Sequence, residues 1–455
     1  MSDSRPGDPL PRSTYAWSDL PGLTVGIYGL GTEGEASLRA CHARGIEPVL
    51  VDDAAGRQSE GRPVLATAAG GLAALADCDV VIKSPGISPY GPAVQSLAQA
   101  GVAIVGGLGL WLQEADPSRV VVVTGTKGKS TTTTILGHLL RGLGHRCLVG
   151  GNIGVPPFDP VVAAEKYDYW VIEVSSYQAT DVATSPPVVG LTSLNPDHLP
   201  WHSDDVETYY RDKLSLCSQP GARWTVANGD SELIRARRDL LGPQVQWVHA
   251  GDDPDSRWMQ PLQLLGTHNR RNALIARELL RRLEVPGADD EAALRSAAEG
   301  FAGLESRLAV IGSVGGVTFV DDGLSTNVLP TLAAVEAFAE RPVALIVGGQ
   351  DRGIDYTSLA EGLRSRGPAP LLVLTVPDNG PRIRAALLAT DLGPAVTVAE
   401  AADLADAVEQ GYAWAGPDGV VLLSPAAPSF GRFRDYRHRG EAFAAAMDKI
   451  RDRER

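Results

Sequence analysis

Four consecutive valines, Val120 to Val123, lead into Gly125-Thr126-Lys127-Gly128-Lys129-Ser130-Thr131, and a helical pattern follows through about Arg141. A β-branched run of this kind predicts a strand covered on both faces, as in a parallel sheet. The loop behind it predicts an anion site, because backbone N–H groups and the positive end of the helix dipole converge there. Lys129 adds a point charge for β- and γ-phosphates, and Ser130 or Thr131 can coordinate Mg²⁺. Only two residues separate Gly125 from Gly128, so the four-residue spacing of a Walker loop is not met.

The same strand–loop–helix grammar recurs on both sides. Upstream, an apolar run from Thr24 to Leu30 meets Gly29-Leu30-Gly31-Thr32-Glu33-Gly34, a helical pattern through Arg44, and a second strand ending at Asp52 and Asp53. A strand from Asp79 to Lys83 turns at Ser84-Pro85-Gly86. Downstream of the valine run, strands are expected at Tyr169 to Val174 and Val188 to Leu194, then at Val317–Val320, Val343–Val347, Leu371–Val376 and Val420–Leu423. At roughly 150 residues per domain the length predicts about three domains. The expected division is 1–117, 118–305 and 306–455: a Rossmann-like unit, a central P-loop-type unit with a mostly parallel sheet, and a second Rossmann-like unit, all α/β.

Composition narrows the function classes. Lys+Arg of 41 against Asp+Glu of 55 gives a net charge of −14, which argues against nucleic acid as a partner while leaving local pockets for small anions. No apolar run is long enough to span a bilayer, and the first residues are polar and Pro-rich, unlike a signal peptide. Cys41, Cys78, Cys147 and Cys217 are widely separated and form no C-x-x-C pair, so reduced thiols in a cytoplasmic protein are expected, with no membrane association.

The first glycine motif, with Asp52 about 20 residues on, fits a dinucleotide loop, in which glycines admit a diphosphate and the acid binds a ribose hydroxyl. Alone it leaves open a tight turn without a ligand and does not say which nucleotide would bind. Three positions suggest chemistry at the central loop. Glu173 ends a strand where a carboxylate can hold Mg²⁺, His198 in Asn195-Pro196-Asp197-His198 could meet the same metal, and Lys213 follows on a helix with Tyr209 and Tyr210. An unmodified ammonium cannot ligate a cation, so Lys213 needs another reason to matter.

Taken in order, these segments resemble the Mur ligases, ATP-dependent amide-forming enzymes of peptidoglycan precursor synthesis, and among them those that add glutamate to UDP-N-acetylmuramoyl-L-alanine. The resemblance covers nearly the whole chain and accounts for the short loop, although Lys127 stands where the family usually has Asn. It implies that Gly125, Thr126, Lys127, Gly128, Lys129, Ser130 and Thr131 hold ATP, with Asn269 and Asn272 of Thr267-His268-Asn269 and beyond on the adenine side, and with Arg307 and Asp322. It implies that Ser130, Glu173, His198 and a carbamylated Lys213, whose carbamate is carboxylate-like, serve Mg²⁺. Lys129, Glu173, His198 and Lys213 are thus the expected catalytic set. The UDP substrate would lie on Gly31, Thr32, Glu33, Asp52, Ser84, Gly86, Asn152 and Gln178, which removes NAD from the first motif.

Glutamate would meet Thr326, Arg352, Ser429, Phe430 and Tyr436, and here the pattern departs from the family. Leu324 replaces a lysine in Asp322-Gly323-Leu324-Ser325-Thr326-Asn327, and Arg352 replaces another. A rearranged pocket of this sort is what L-glutamate in place of the usual D-isomer would require, and it would call for a partner epimerase to invert the product. Retained D-specificity with compensated substitutions is the alternative. The resemblance implies an acyl phosphate on the substrate carboxylate, attacked by the amine of glutamate, in a monomeric enzyme that closes its third domain. An NAD-dependent dehydrogenase leaves the central loop and Lys213 without a task. A regulatory P-loop ATPase would not need a UDP-sugar and an amino acid to hydrolyse ATP.

Overall fold

The computed structural model describes residues 10–54, 56 and 58–455. The polar stretch 1–9, on which the signal-peptide expectation partly rests, lies outside them. The described chain builds three main sheets in succession, as the recurring strand–loop–helix pattern predicts. The first runs Leu65–Ala66, Val49–Asp52, Val25–Tyr28, Val80–Lys83, Ala103–Val105 across its width, every pair parallel. The second runs Gln244–Val248, Trp224–Asn228, Val188–Leu191, Val120–Thr124, Tyr169–Glu173, Cys147–Gly151, again all parallel.

The third sheet runs Ala309–Val314, Val317–Asp321, Val420–Leu423, Val343–Val347, Leu371–Thr375, Val396–Glu400. Only its first pair is antiparallel. Contacts divide the chain into two compact units. One runs to Leu262 and takes in Arg271–Phe301, so it holds the first two sheets; the other is Gln263–Arg270 with Ala302–Arg455.

Val120–Thr124 is buried at every residue because it sits in the middle of its sheet, with helices on both faces. The helix after it, Lys129–Gly142, buries Thr132, Thr133, Ile135, Leu136, Leu139 and Leu140, the 3.6-residue stripe of a helix lying on a sheet. From Val120–Thr124 the chain moves to one edge of the sheet, and from Val188–Leu191 it moves to the other. The crevice between their carboxyl ends is therefore a topological switch point, where open α/β sheets bind ligands. Val25–Tyr28 and Val80–Lys83 form an equivalent point in the first sheet.

The first two sheets share one apolar core, in which Trp17 packs on Phe158 with ring centroids 5.5 Å apart and donates its indole N–H to Gly107 O. Polar ties cross the same seam. Lys83 pairs with Asp181 at 2.7 Å, both side chains buried, and Ser88 Oγ donates to Trp201 O at 2.7 Å. Among the described residues no helix is long and apolar enough to cross a membrane.

Candidate active site

Gly125 and Gly128 both have positive φ, +142° and +88°, and Gly128 caps the helix Lys129–Gly142 from the left-handed region. Both must be glycine. A Cβ at Gly125 would lie 2.2 Å from Thr192 Oγ1, and one at Gly128 would lie 2.9 Å from Asn272 Oδ1. The second contact places Asn272 directly against the loop. The loop is pinned to the neighbouring strand end: Thr126 N donates to Ser193 O at 2.9 Å, Lys127 N to Ser193 Oγ at 2.8 Å, and Thr126 Oγ1 to Asn195 O at 3.0 Å. Lys127, the departure from the family pattern, pairs with Asp197 at 3.3 Å.

Two lysines converge on one carbonyl. Lys129 Nζ donates to Gly125 O at 2.9 Å, and Lys213 Nζ donates to the same oxygen at 3.1 Å. Lys213 comes from the helix Val206–Leu214, is buried, and stands over the Tyr209 ring at 5.2 Å. Burial first, then the like charge of Lys129, hold its amine well below the usual lysine range.

Glu173 ends the strand Tyr169–Glu173 and is 1% exposed. Its Oε1 accepts from Asn152 Nδ2 at 2.7 Å, and its Oε2 is buried without a hydrogen-bond partner. An orphaned carboxylate oxygen beside a phosphate-type loop is chemically suited to a divalent cation. No group of three His, Cys, Asp or Glu side chains forms a metal cage among the described residues. Mg²⁺ does not need one, since it characteristically uses one or two carboxylates with phosphates and water. Ser130 opens the helix after Lys129, where its hydroxyl could join such a set. His198 has φ +52° and its Nε2 lies 3.7 Å from Asp197; burial, ahead of the opposing pull of Asp197, lowers its imidazole below the usual value.

The first sheet brings its expected residues to its own switch point. Gly29 has φ +85°, and a Cβ on Gly34 would lie 2.0 Å from Gly29 O, so these two glycines are demanded by the turn and by helix–strand packing. Gly31 has an ordinary φ of −72°, and a Cβ there would meet nothing within 4 Å, so room for a ligand is the feature it retains. Asp52 accepts from Leu30 N at 2.7 Å and braces the turn, while Ser84 Oγ donates to Gly29 O at 2.6 Å. Gly86 lies on the loop that follows, its carbonyl accepting from Trp201 Nε1 at 3.0 Å. Thr32 and Glu33 start the helix Thr32–His42. Glu33 accepts from Gln178 Nε2, whose Oε1 takes Ser175 N at 2.8 Å. Burial pushes the Glu33 carboxyl up to about 7, with Asp181 adding to the shift and Gln178 and Lys83 opposing it.

A buried chain of polar groups also stands here, and no motif in the sequence marks it. His202 is fully buried; its Nδ1–H donates to Asp212 Oδ2 at 2.6 Å, and Ser176 Oγ lies 3.1 Å from its Nε2. Tyr90 OH reaches both Asp212 oxygens at 2.8 and 2.9 Å. Ser, His and Asp in this order suggest a nucleophile, but Ser176 is 3% exposed and Asp212 is shared with Tyr90. The arrangement is a brace next to Lys213. Its only sequence signal is the adjacency of Asp212 and Lys213.

In the second unit, Asn269 is buried and donates to Leu265 O at 2.9 Å. Asp322 is buried and accepts from Ser325 Oγ, from Ser424 Oγ at 2.7 Å and from Leu308 N at 3.2 Å, one residue beyond Arg307. Burial pushes its carboxyl up to about 6 against the hydrogen bonds of Ser325 and Ser424. Of the residues expected to meet glutamate, Ser429 lines a cavity at the carboxyl end of Val343–Val347, whereas Thr326, Arg352, Phe430 and Tyr436 do not. Arg352 and Phe430 are exposed, Thr326 is half-buried, and Tyr436 begins the last helix under the Arg437 guanidinium.

Two family models match the chain: the Mur ligase middle domain over residues 123–260 and the Mur ligase, glutamate ligase domain over 306–427. A UDP-N-acetylmuramoyl-L-alanine--L-glutamate ligase of a Micromonospora species is 41% identical, covering 94% of this chain and 97% of that one. The enzyme of the same name from Xanthomonas euvesicatoria is 40% identical, covering 94% and 95%. Among solved structures, the Acinetobacter baumannii protein MurF superposes with a TM-score of 0.57 at 16% identity, covering 94% of this chain and 90% of that one. The Thermotoga maritima UDP-N-acetylmuramate-alanine ligase MurC gives 0.52 at 18%, covering 94% and 99%. These two likenesses concern the fold.

Proposed function

The chain belongs to the Mur ligase family, and on that premise we propose that it ligates L-glutamate to UDP-N-acetylmuramoyl-L-alanine, using ATP and releasing ADP and phosphate. The observation that carries the reading is the convergence of Lys129 and Lys213 on the Gly125 carbonyl, beside the orphaned Glu173 oxygen. The dehydrogenase and regulatory-ATPase readings do not account for it. The L-isomer is supported by the names of the relatives and by the two lysines missing at Leu324 and Arg352. The same ligation with D-glutamate is the competing outcome.

A free carboxylate is a poor electrophile, so the terminal carboxylate of the UDP substrate takes the γ-phosphoryl group of ATP and ADP leaves. Two anions meet in that step. Lys129 and the backbone N–H groups of Gly125 to Thr131 hold the phosphates in line, and Arg307 is assigned as a further phosphate partner. Asn269 and Asn272 take the adenine side, and Asp322 orders the segment after Arg307. The neutral amine of glutamate then attacks the acyl phosphate, loses a proton, and phosphate departs as the amide closes.

Mg²⁺ bound by Glu173, Ser130 and a carbamylated Lys213, with His198 nearby, would supply charge neutralisation to the phosphoryl transfer. The buried neutral amine of Lys213 is suited to add CO₂, forming an N–C bond and giving up a proton. Functionally we divide the chain at 1–117 for the UDP substrate, 118–305 for ATP and 306–455 for glutamate. We place the reaction in the cytoplasm, where ATP and UDP-sugars are found, with a monomeric enzyme and an epimerase acting on its product.

Phosphate release from ATP, with UDP-N-acetylmuramoyl-L-alanine and each glutamate isomer, tests this, with the product checked by mass. Turnover with L-glutamate and not D-glutamate is expected. Turnover with D-glutamate alone would overturn the stereochemical assignment, and silence with both would overturn the substrate.

A further inference from the structure

The cavity beside Ser429 has a charge pattern that the proposed ligation leaves unused. Its walls are apolar, from Ile346, Val376 and Leu404, and its charged groups are Arg432, Arg439 and Asp378. Arg439 is 3% exposed and lies within the floor. It donates to Gly323 O at 2.8 Å and to Ala427 O at 3.2 and 3.3 Å, while its Nε is buried without a partner. Half of the Arg432 side chain is exposed, and its Nε bridges the two Asp378 oxygens at 3.2 Å each. The Nη pair of Arg432 makes no hydrogen bond among the described residues.

That geometry leaves the part of a guanidinium that best matches a carboxylate open, while the other edge is fixed. Asp378 itself is held at φ +83°, a conformation that few side chains other than Asn and Asp tolerate, so the anchor is built into the turn after Leu371–Thr375. The strands Val343–Val347 and Val420–Leu423 are neighbours in the sheet, and Arg352 and Arg432 lie on the loops that leave them. A dicarboxylic amino acid offers one anion to each. Leu324 cannot supply the cation that a lysine there would have given.

We propose that Arg432 is a specificity-determining residue: its Nη pair, at the solvent-open rim of this cavity, receives the side-chain carboxylate of the incoming glutamate, and Asp378 positions the guanidinium through Nε. The proposal rests on the glutamate-ligase reading. Arg432 restores the charge that is absent at Leu324. The paired Nη donors discriminate against the amide of glutamine because an amide cannot accept hydrogen bonds at both of its atoms.

Steady-state constants for R432Q, R432K and D378N, measured against wild type with each substrate varied in turn, decide it. R432Q is expected to raise the KM for glutamate by on the order of tenfold, from losing one charge-assisted pair, with the KM values for ATP and the UDP substrate unmoved. The preference for glutamate over glutamine should fall by about the same factor. R432K keeps the charge without the fork and should lie between; D378N should show a smaller rise than R432Q. An unchanged glutamate KM or an unchanged preference in R432Q overturns the proposal, as does an equal rise in all three KM values. If R432Q does not fold, R432K decides alone, and a wild-type glutamate KM in it overturns the proposal. Wild-type enzyme that turns over neither isomer removes the glutamate reading itself, a result distinct from an unaffected variant.

Discussion

Lys213 and Lys129 donate to a single acceptor, the carbonyl oxygen of Gly125, at 3.1 and 2.9 Å. Two ammonium groups on one carbonyl in a buried setting repel each other, and the cheapest relief is for the buried one to give up its proton. Lys213 is the buried one, and its amine is held well below the usual range by burial and then by Lys129. A neutral amine there can become a carbamate, an anion in contact range of the loop proposed to hold phosphate. Lys213→Ala should therefore lower kcat by about 100-fold or more. Formate or acetate at high concentration should restore part of it by filling the space of the lost carbamate. Lys213→Arg, with no amine to modify, should be equally slow and should not be rescued. Full activity of Lys213→Ala, or of wild-type enzyme freed of CO₂, would sink the assignment.

The glycines of the first motif separate by cause. Gly34→Ala pushes a methyl to within 2.0 Å of Gly29 O, a backbone atom that cannot step aside. A loss of about 1–3 kcal/mol in unfolding free energy is expected, as for other overpacked sites. Gly31→Ala meets nothing within 4 Å, so its denaturant midpoint should match wild type while its KM for the UDP substrate rises. Equal effects of the two substitutions on stability would contradict a ligand-facing Gly31.

The interior strands are mostly legible in the sequence and the sheet edges are not. Val120–Thr124, Val343–Val347 and Val420–Leu423 sit between neighbours and helices, so burial on both faces writes an unbroken apolar run. Leu65–Ala66, Ala103–Val105, Cys147–Gly151, Gln244–Val248, Ala309–Val314 and Val396–Glu400 are edges. They have one paired neighbour; Leu65–Ala66 and Ala103–Val105 are too short to register as runs, and the other four are interrupted by Gly150, Gln244, Gly312 or Thr397. Trp224–Asn228 is interior and equally unmarked, because Thr225 and Asn228 interrupt its apolar residues. The run expected from Val188 to Leu194 stops as a strand at Leu191, because Thr192 and Ser193 turn to hold the Gly125 loop through Lys127 O at 2.6 and 2.9 Å. In the site, loop glycines and strand-end acids announce themselves by position. His202, Asp212 and Tyr90 do not, because their contacts join residues 10 and 122 apart along the chain, with no periodic pattern between them.

Glu33 should make stability depend on pH near neutrality. Its folded-state carboxyl is raised to about 7 from 4.5, chiefly by burial. In the window between those values the folded chain holds a proton that the unfolded chain has released, so stability falls as pH rises through it. Glu33→Gln imitates the protonated side chain and keeps an oxygen for Gln178 Nε2. It should raise the unfolding midpoint relative to wild type at pH 8 and change it little at pH 4.5. An advantage that is equal at both pH values would show that Glu33 does not carry the dependence.

Asp212 stands among groups that have the look of a nucleophilic triad and the burial of a brace. Tyr90 OH donates to its carboxylate at 2.8 and 2.9 Å, His202 at 2.6 Å, and Ser176 Oγ lies 3.1 Å from the far nitrogen of His202. All of this is closed to solvent at Ser176 and His202, so an attacking hydroxyl would have no substrate to reach. What the chain does is tie the loop carrying Tyr90 to the helix carrying Lys213. Tyr90→Phe removes one donor from a buried anion and should cost about 1.5–3 kcal/mol in denaturant unfolding at constant m-value. Ser176→Ala should leave kcat within about threefold of wild type, since a single neutral hydrogen bond is worth on the order of 1 kcal/mol. A Ser176→Ala enzyme that folds normally and cannot turn over would make the triad chemical and the brace reading wrong.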